Sequence, residues 1–186
     1  RIAANGAGTF FQAKDLTVNG TSAGMFQVAM NAAPAVSRDG ATIYVTMNNG
    51  DQGPGRLVAL NSATLAPITS VPLVDPRSGE SAAIPNDGTA SPLVGPDGDV
   101  YMGVLDETSR GWLNHFSADL STRKPTGAFG WDVTPSVVPA SMVPSYHGTS
   151  AYLLLTKYNN YAFNGGTGAN KLAILDPNDT QVETRG

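Results

Sequence analysis

The chain has 186 residues, a formal net charge of −4 and 14% charged residues, whereas an average domain has about 25%. Its 11 lysine and arginine residues lie singly along the sequence, so we expect no nucleic-acid partner, because binding to a phosphate backbone requires a basic stripe. The absence of cysteine excludes disulfides, thiol nucleophiles and cysteine-ligated metals. No apolar run approaches the roughly 18 residues of a membrane-spanning helix, and we therefore expect no membrane span.

The N-terminal part, residues 1–32, contains two strand-like pieces at residues 9–12 and 25–30. Both are short and rich in apolar or β-branched residues, which is typical of strands. We expect these pieces to be the outer strands of a β-unit that precedes the first repeat.

A repeat begins at residue 33. The segment APAVSRDGATIYVT at 33–46 recurs as SPLVGPDGDVYMGV at 91–104, and a weaker copy, VPSYHGTSAYLL, lies at 143–154. Each copy is followed by a second apolar run that ends in an Asn or Asp. These terminal residues are Asn61, Asp119 and Asp176. They lie 58 and 57 residues apart, and a repeat at a nearly fixed period indicates stacked supersecondary units.

Short β-branched and aromatic runs separated by Asp-Gly or Gly-Thr turns predict an all-β fold of four-stranded antiparallel sheets. In the first unit the strands are expected at residues 35–37, 42–47, 56–60 and 68–73. The three repeats span residues 33–74, 91–131 and 143–186, and the third is incomplete. Tyr44, Tyr101 and Tyr152 are expected on equivalent second strands.

The order of Pro, Asp-Gly and Tyr, followed by ALNSAT at residues 59–64, resembles the repeat of PQQ-like (quinoprotein-like) β-propellers, whose blades carry A-x-D-x-x-T-G-x-x-x-W. The sequence departs from this pattern at Asn61 in place of Asp, Leu65 in place of Gly and Thr69 in place of Trp. The resemblance implies about three β-propeller blades in this chain, with residues 1–32 as strands of a preceding blade.

Propellers typically have 4 to 8 blades. The resemblance therefore implies a larger propeller, whose remaining blades come from the same protein or another chain. The rival interpretation is an oligomer that completes the ring. In either case the partial propeller is expected to leave apolar residues such as Val28, Leu172 and Ile174 uncovered within this chain.

Successive connections of an up-and-down sheet alternate between its two ends, and this places the long loops on one face. The long loops are expected at residues 48–55, 75–90, 105–111, 132–142 and 157–170. Long loops on a rigid scaffold are the usual place for binding, so this long-loop face is the candidate site for a protein or carbohydrate ligand. The candidate ligand-binding residues are Asn48, Asn49, Asp51, Asp106, Glu107, Trp112, Tyr158 and Tyr161. The alternatives are ordinary solvated loop polarity and, for the tyrosines, packing beneath their own loop.

The acidic turn sequences are interpreted as hairpin turns, and no metal site is predicted. Asp39-Gly40 and Asp97-Gly98 lack the spaced ligand ladder of an EF-hand and lie where a tight turn is required. The segment 176–179 is likewise favourable for a turn. His115 is expected on a strand and His147 in a turn at the opposite end, so no histidine dyad and no catalytic residue are assigned.

The preferred functional interpretation is a binding or scaffold module that acts through the long-loop face. The excess of Asn, Thr, Ser and Gly over Lys and Glu favours an extracytoplasmic protein, either periplasmic or secreted. The alternative implied by the resemblance is a quinoprotein-type dehydrogenase that oxidises an alcohol or sugar with PQQ and calcium. The vicinal cysteine pair of that family is absent, and none of its cofactor-binding residues can be transferred by motif. Whether the chain is an enzyme is therefore left open.

Overall fold

The fold is all-β. The computed structural model describes residues 2, 4–86, 90–108, 110–125, 127–128, 132–158, 168–169 and 171–180. Within them the regular structure consists of strands and two short 3-10 turns, Ala13–Asp15 and Ala140–Met142. In the part of the chain that the structure describes, no helix is long and apolar enough to cross a membrane.

The first sheet contains five strands in antiparallel order. A small hairpin of β1 and β2 precedes it. The bounds are β1 Thr17–Val18, β2 Thr21–Ser22, β3 Gln27–Val28, β4 Ala35–Val36, β5 Thr42–Asn48, β6 Gly55–Asn61 and β7 Pro67–Pro72. The four strands predicted for this unit are confirmed to within one residue. The reason is that alternating β-branched residues bounded by Pro, Asp-Gly and Asn are a strong local strand signal.

The N-terminal part differs from the prediction. Both β3 and β4 pair with β5, and Val28 is paired with Met47. Residues 27–28 therefore extend the first sheet and do not belong to a preceding unit. Residues 9–12 form no strand. The physical reason is that β5 is long enough to accept two short neighbours along the same edge.

The second sheet has the order β11-β10-β9-β8 and the third has the order β12-β13-β14. Every strand pair in them is antiparallel. The bounds are β8 Leu93–Val94, β9 Val100–Leu105, β10 Gly111–Phe116, β11 Gly127–Ala128, β12 Ser136–Pro139, β13 Tyr152–Tyr158 and β14 Lys171–Leu175.

The tyrosine prediction is confirmed for the strands and wrong for the register of the third copy. Tyr44, Tyr101 and Tyr152 lie on β5, β9 and β13, the second strands of their sheets. Tyr44 is paired with Ala35 of the first strand, and Tyr101 with Leu93. In the third sheet, Leu155 holds the corresponding position, opposite Ser136.

The displaced register has a simple origin in the sequence. The sequence pattern places the start of the third copy at Pro144, but the first strand of the third sheet, β12, directly follows Pro135, as β4 directly follows Pro34. Residues 132–142 therefore contain a strand and are not one long loop. The long connection of this unit instead comprises residues 140–151, between its first and second strands, at the end opposite the long-loop face.

The three sheets stack face to face in chain order, as successive propeller blades do. One apolar cluster joins the first sheet to the second and contains Tyr44, Leu57, Met102 and Phe116. A second cluster joins the second sheet to the third through Tyr101, Leu113, Tyr152 and Leu154. Side chains alternate between the two faces of a strand, so the second sheet packs against the first with one face and against the third with the other.

The outer face of the third sheet exposes apolar side chains, whereas Ala13, Leu16 and Met25 of the N-terminal part cover the outer face of the first sheet by packing on β5 and β6. On the third sheet, Leu172 is 79% exposed and Ile174 is 51% exposed. On the first sheet, Val28 is 42% exposed. The expectation that these three residues are uncovered within this chain is confirmed. The edge of the first sheet also exposes Phe26 and Met30.

Candidate functional site

The long-loop face is assembled by the segment that connects the first sheet to the second. The amide of Gly55 donates to Ala82 at 2.9 Å, and Ala83 and Leu105 exchange backbone hydrogen bonds of 2.8 and 3.1 Å. Residues 82–83 thus link the loop after β5 to the end of β9. Backbone hydrogen bonding of this kind fixes the two sheets relative to each other at this face.

An amide cluster lies where this segment passes the first sheet. We define it as Gln27, Asn31, Asn48, Asp51 and Asn86. The Asn86 side-chain oxygen accepts from Gln27 Nε2 at 2.6 Å and from Asn48 Nδ2 at 3.2 Å. The Asn86 backbone oxygen accepts from Asn31 at 2.7 Å, and its amide donates to Asp51 Oδ1 at 3.0 Å. Asn86 is therefore the centre of the cluster.

Asn48 is a positioning residue within this cluster. Its side chain is fully buried, and Nδ2 donates to the backbone oxygen of Ile84 at 2.8 Å. Among the described residues its Oδ1 atom has no hydrogen-bond partner, and the same holds for Oγ1 of Thr46 two residues earlier. Buried polar atoms without a partner are uncommon in folded proteins and are costly.

A second cluster surrounds Asp106 on the same face. Oδ1 accepts from the backbone amides of Thr108 and Arg110, each at 2.8 Å, and Oδ2 accepts from Trp112 Nε1 at 2.8 Å and Arg77 Nη2 at 3.1 Å. The Arg77 guanidinium also contacts Asp75 and lies 4.8 Å from the centroid of the Trp112 ring. Burial raises the pKa of Asp106, but the hydrogen bonds from Trp112, Arg110 and Thr108 outweigh burial and hold the pKa below its usual value.

The structure separates the candidate ligand residues into two groups. Asn48, Asp106 and Trp112 are buried, and the Asn48 amide nitrogen, the Asp106 carboxylate and the Trp112 N–H make hydrogen bonds inside the protein, so these side chains are not presented at the surface. The physical reason is that the segment at residues 75–86 covers them. Asn49, Asp51 and Glu107 are exposed on the long-loop face.

The remaining two candidates lie on the third unit. Tyr158 is half-buried at the end of β13. Tyr161 lies outside the described residues, as do most residues of the loop at 157–170.

The two histidines are placed in different environments. His115 is buried in β10, where its Nε2 contacts Asp99 Oδ2 at 2.8 Å and its Nδ1 contacts the Pro125 oxygen at 3.1 Å. His147 is exposed in the connection at residues 140–151. Both nitrogens of His115 are therefore engaged within the second sheet, and neither contacts His147.

The acidic turns have structural roles. Gly40 and Gly98 have φ values of 74° and 95°, as the Asp-Gly turns require. Asp176 accepts from the hydroxyl groups of Ser150 and Tyr146, each at 2.5 Å, and from the amide of Asn178 at 2.9 Å. In the described ranges, no three His, Cys, Asp or Glu side chains form a group that could hold a metal ion.

The sequence analysis did not identify four residues that hold this face together: Gln27, Asn31, Arg77 and Asn86. Each makes at least one contact with a residue at least 29 positions away in the chain, such as Gln27 with Asn86 and Arg77 with Asp106. The available signal was the length of the connection at residues 75–90, since long ordered loops need polar partners for their own backbone.

Comparison with known proteins found no matching family model and no matching curated protein. The chain is similar to one solved structure, described as a europium-containing methanol dehydrogenase, with 22% identity and a TM-score of 0.39. The similarity covers 57% of this chain and 16% of that one. We transfer neither the activity nor the metal of that protein to this chain.

Proposed function

We propose that this chain is part of an extracytoplasmic β-propeller that binds or scaffolds a partner through its long-loop face. We also propose that further blades, from the same protein or from another chain, cover the exposed outer face of the third sheet and the apolar residues exposed at the edge of the first. The preference for an extracytoplasmic location comes from the composition of the chain.

The observation that carries the binding proposal is that hydrogen bonds within the protein hold the loops of the long-loop face in place. The amide cluster and the Asp106 cluster hold the loops from below, while Asn49 and Glu107 project to solvent. Asp51 is exposed as well, and its Oδ1 accepts from the Asn86 amide. Amide and carboxylate groups on a rigid frame bind at a lower entropic cost than groups on mobile loops. They can accept and donate hydrogen bonds to the hydroxyl groups of a carbohydrate or to a peptide backbone.

The test uses a biotinylated chain on an array of oligosaccharides and peptides. The Asn49→Ser, Glu107→Ser double variant changes two exposed side chains without removing a structural hydrogen bond, and we expect it to lose binding. Ala63→Ser, in the turn between β6 and β7 at the opposite end, is the matched control and should bind as the wild type does. Equal binding by all three proteins would place the ligand elsewhere and overturn the proposal.

Oxidation of an alcohol or sugar with PQQ and calcium is the second function that the resemblance implies. Among the described residues no three His, Cys, Asp or Glu side chains form a group that could hold a metal ion, and we derive no step through that cofactor. Dye reduction by the chain after addition of PQQ, calcium and an alcohol would support the dehydrogenase interpretation over the binding module.

A further inference from the structure

Each of the three sheets begins directly after a proline, and the residue before that proline holds the same place in each sheet. The three pairs are Ala33-Pro34, Ser91-Pro92 and Thr134-Pro135, ahead of β4, β8 and β12. Proline has no N–H group and restricts the preceding residue to extended backbone. The last amide donor ahead of each sheet therefore belongs to the residue before the proline.

Hydrogen bonds join these residues from one sheet to the next. The Ala33 amide donates to Ser91 Oγ at 2.8 Å, and the Ser91 amide donates to Thr134 Oγ1 at 2.7 Å. The Thr134 hydroxyl group also donates to the Ser91 backbone oxygen at 3.4 Å. At both contacts between sheets, the later sheet thus supplies a hydroxyl group that accepts from the amide of the earlier sheet. We call these the pre-proline hydrogen bonds.

The pre-proline hydrogen bonds have a direction, and the series is open at the third sheet. Ala33 has no hydroxyl group, so the first sheet has no side-chain acceptor for the amide of another sheet. Its outer face is also covered by Ala13, Leu16 and Met25. Within the described residues, the Thr134 amide donates no hydrogen bond. The unfilled position of the series is therefore an acceptor for the Thr134 amide.

The outer face of the third sheet repeats the positions through which the first sheet contacts the second. The pairing of β14 with β13 matches that of β6 with β5, and it places Leu172 and Ile174 where the first sheet has Leu57 and Ala59. Leu57 and Ala59 are buried in the apolar cluster that joins the first two sheets. Leu172 and Ile174 are exposed. The third sheet thus presents the same kind of contact surface without a sheet upon it.

We propose that the third sheet binds a further β-sheet unit whose first strand is preceded by Ser-Pro or Thr-Pro, and that the hydroxyl group of this residue accepts from the Thr134 amide. The inference rests on the proposed function, because it specifies the further blade that covers this face. The apolar side chains supply the contact area, and the hydrogen bond fixes the position of the incoming strand. A second copy of this chain does not fit, because its Ser91 and Thr134 hydroxyl groups are engaged within its own stack and Ala33 has none.

Amide hydrogen exchange measured by NMR tests the pre-proline hydrogen bonds in the chain itself. The Ala33 and Ser91 amides should be protected, whereas the Thr134 amide should exchange freely. Ser91→Ala removes the acceptor of the Ala33 amide, and that amide should then exchange about 2- to 12-fold faster, the factor that one net hydrogen bond supplies. Thr134→Val should have the same effect on the Ser91 amide.

Ser136→Ala is the matched control, because it removes an exposed hydroxyl group two residues from Thr134. It should leave the exchange of the Ala33 and Ser91 amides unchanged. Unchanged exchange of the Ala33 amide in Ser91→Ala overturns the assignment of the hydroxyl group as its acceptor, and with it the requirement for Ser-Pro or Thr-Pro.

The docking surface is tested with a second copy of residues 91–131, joined by a Gly/Ser linker to the C-terminus of the full chain. This repeat begins with Ser-Pro, and in the chain it packs on Leu57 and Ala59. Because the chain has no cysteine, Ile174→Cys provides a single thiol whose rate of labelling by a maleimide reports the exposure of this face. The added repeat should slow the labelling and protect the Thr134 amide from exchange.

A second probe, in which the added repeat carries Ser91→Ala, separates the hydroxyl group from the apolar contact. The thiol should remain protected, and the Thr134 amide should exchange as it does in the unextended chain. Rapid labelling with both probes overturns the docking proposal together with the further blade at this face. Slow labelling with equal Thr134 exchange in both probes overturns only the role of the hydroxyl group. A dimer of the unextended chain in which the Thr134 amide is protected identifies a second copy as the occupant and also overturns the proposal.

Discussion

Leu65 and Leu120 lie in equivalent turns, after the third strands of the first and second sheets, and both adopt left-handed backbone conformations with φ of 62° and 61°. The PQQ-like propeller repeat that the sequence resembles has glycine where Leu65 stands. The left-handed conformation costs a residue with a side chain roughly 1–2 kcal/mol. Replacing each leucine by glycine therefore removes the same strain at both positions.

The two leucines differ in burial, and this difference predicts the outcome. Leu65 is half-buried, so Leu65→Gly loses about 1 kcal/mol of apolar burial and about 0.5–1 kcal/mol through the greater backbone entropy of glycine. These losses offset the relief of strain, and we expect a stability within about 1 kcal/mol of wild type. Leu120 is 2% exposed, and Leu120→Gly should cost about 2–4 kcal/mol.

The assay is thermal unfolding followed by far-UV circular dichroism. In a chain of this size 1 kcal/mol corresponds to about 2–4 °C in Tm, so Leu120→Gly should unfold about 5–15 °C below Leu65→Gly. Because the backbone terms cancel between the variants, the difference measures burial alone. Equal losses in the two variants would refute the claim that only Leu120 is part of the core.

The remaining predictions concern polar contacts and the exposed outer face. Trp112→Phe removes the hydrogen bond to charged Asp106 and should lower the free energy of unfolding in urea by about 1.5–3 kcal/mol. Tyr44→Phe removes a hydrogen bond to the neutral Ala118 oxygen and should lower it by about 0.5–1.5 kcal/mol. Equal losses in the two variants would contradict this ranking. Leu172→Ser with Ile174→Thr should reduce self-association of the chain in multi-angle light scattering, and unchanged association would show that this face is not adhesive. Hydrogen bonds from Ser117 and Ser121 lower the pKa of Asp119 to about 2, so its contribution is present above about pH 4 and is lost as pH falls. The Tm difference between wild type and Asp119→Ala should therefore shrink between pH 4 and pH 2, and a constant difference would exclude the carboxylate as its source.

Local signals were sufficient for the strands of the first two sheets. In Thr42–Asn48, β-branched and aromatic residues follow an Asp-Gly turn, and both features act over a few residues. The register predicted for the third sheet was wrong because Pro135 and Pro144 are two equally good local starting points for its first strand. Cross-strand pairing with Leu155 decided between them, and such pairing depends on residues distant in sequence.

The sequence by itself determined the all-β class, the strand period and the exposed apolar end of the third sheet, because alternation and turn chemistry are local properties of the chain. The tertiary structure alone decided which polar residues of the long-loop face are available. By residue type alone, the buried residues cannot be told from the exposed ones at this face. The segment at residues 75–86 covers Asn48, Asp106 and Trp112. It leaves Asn49 and Glu107 exposed to water. Burial of a loop residue depends on which distant segment packs on it, and the sequence of the loop itself does not predict that contact.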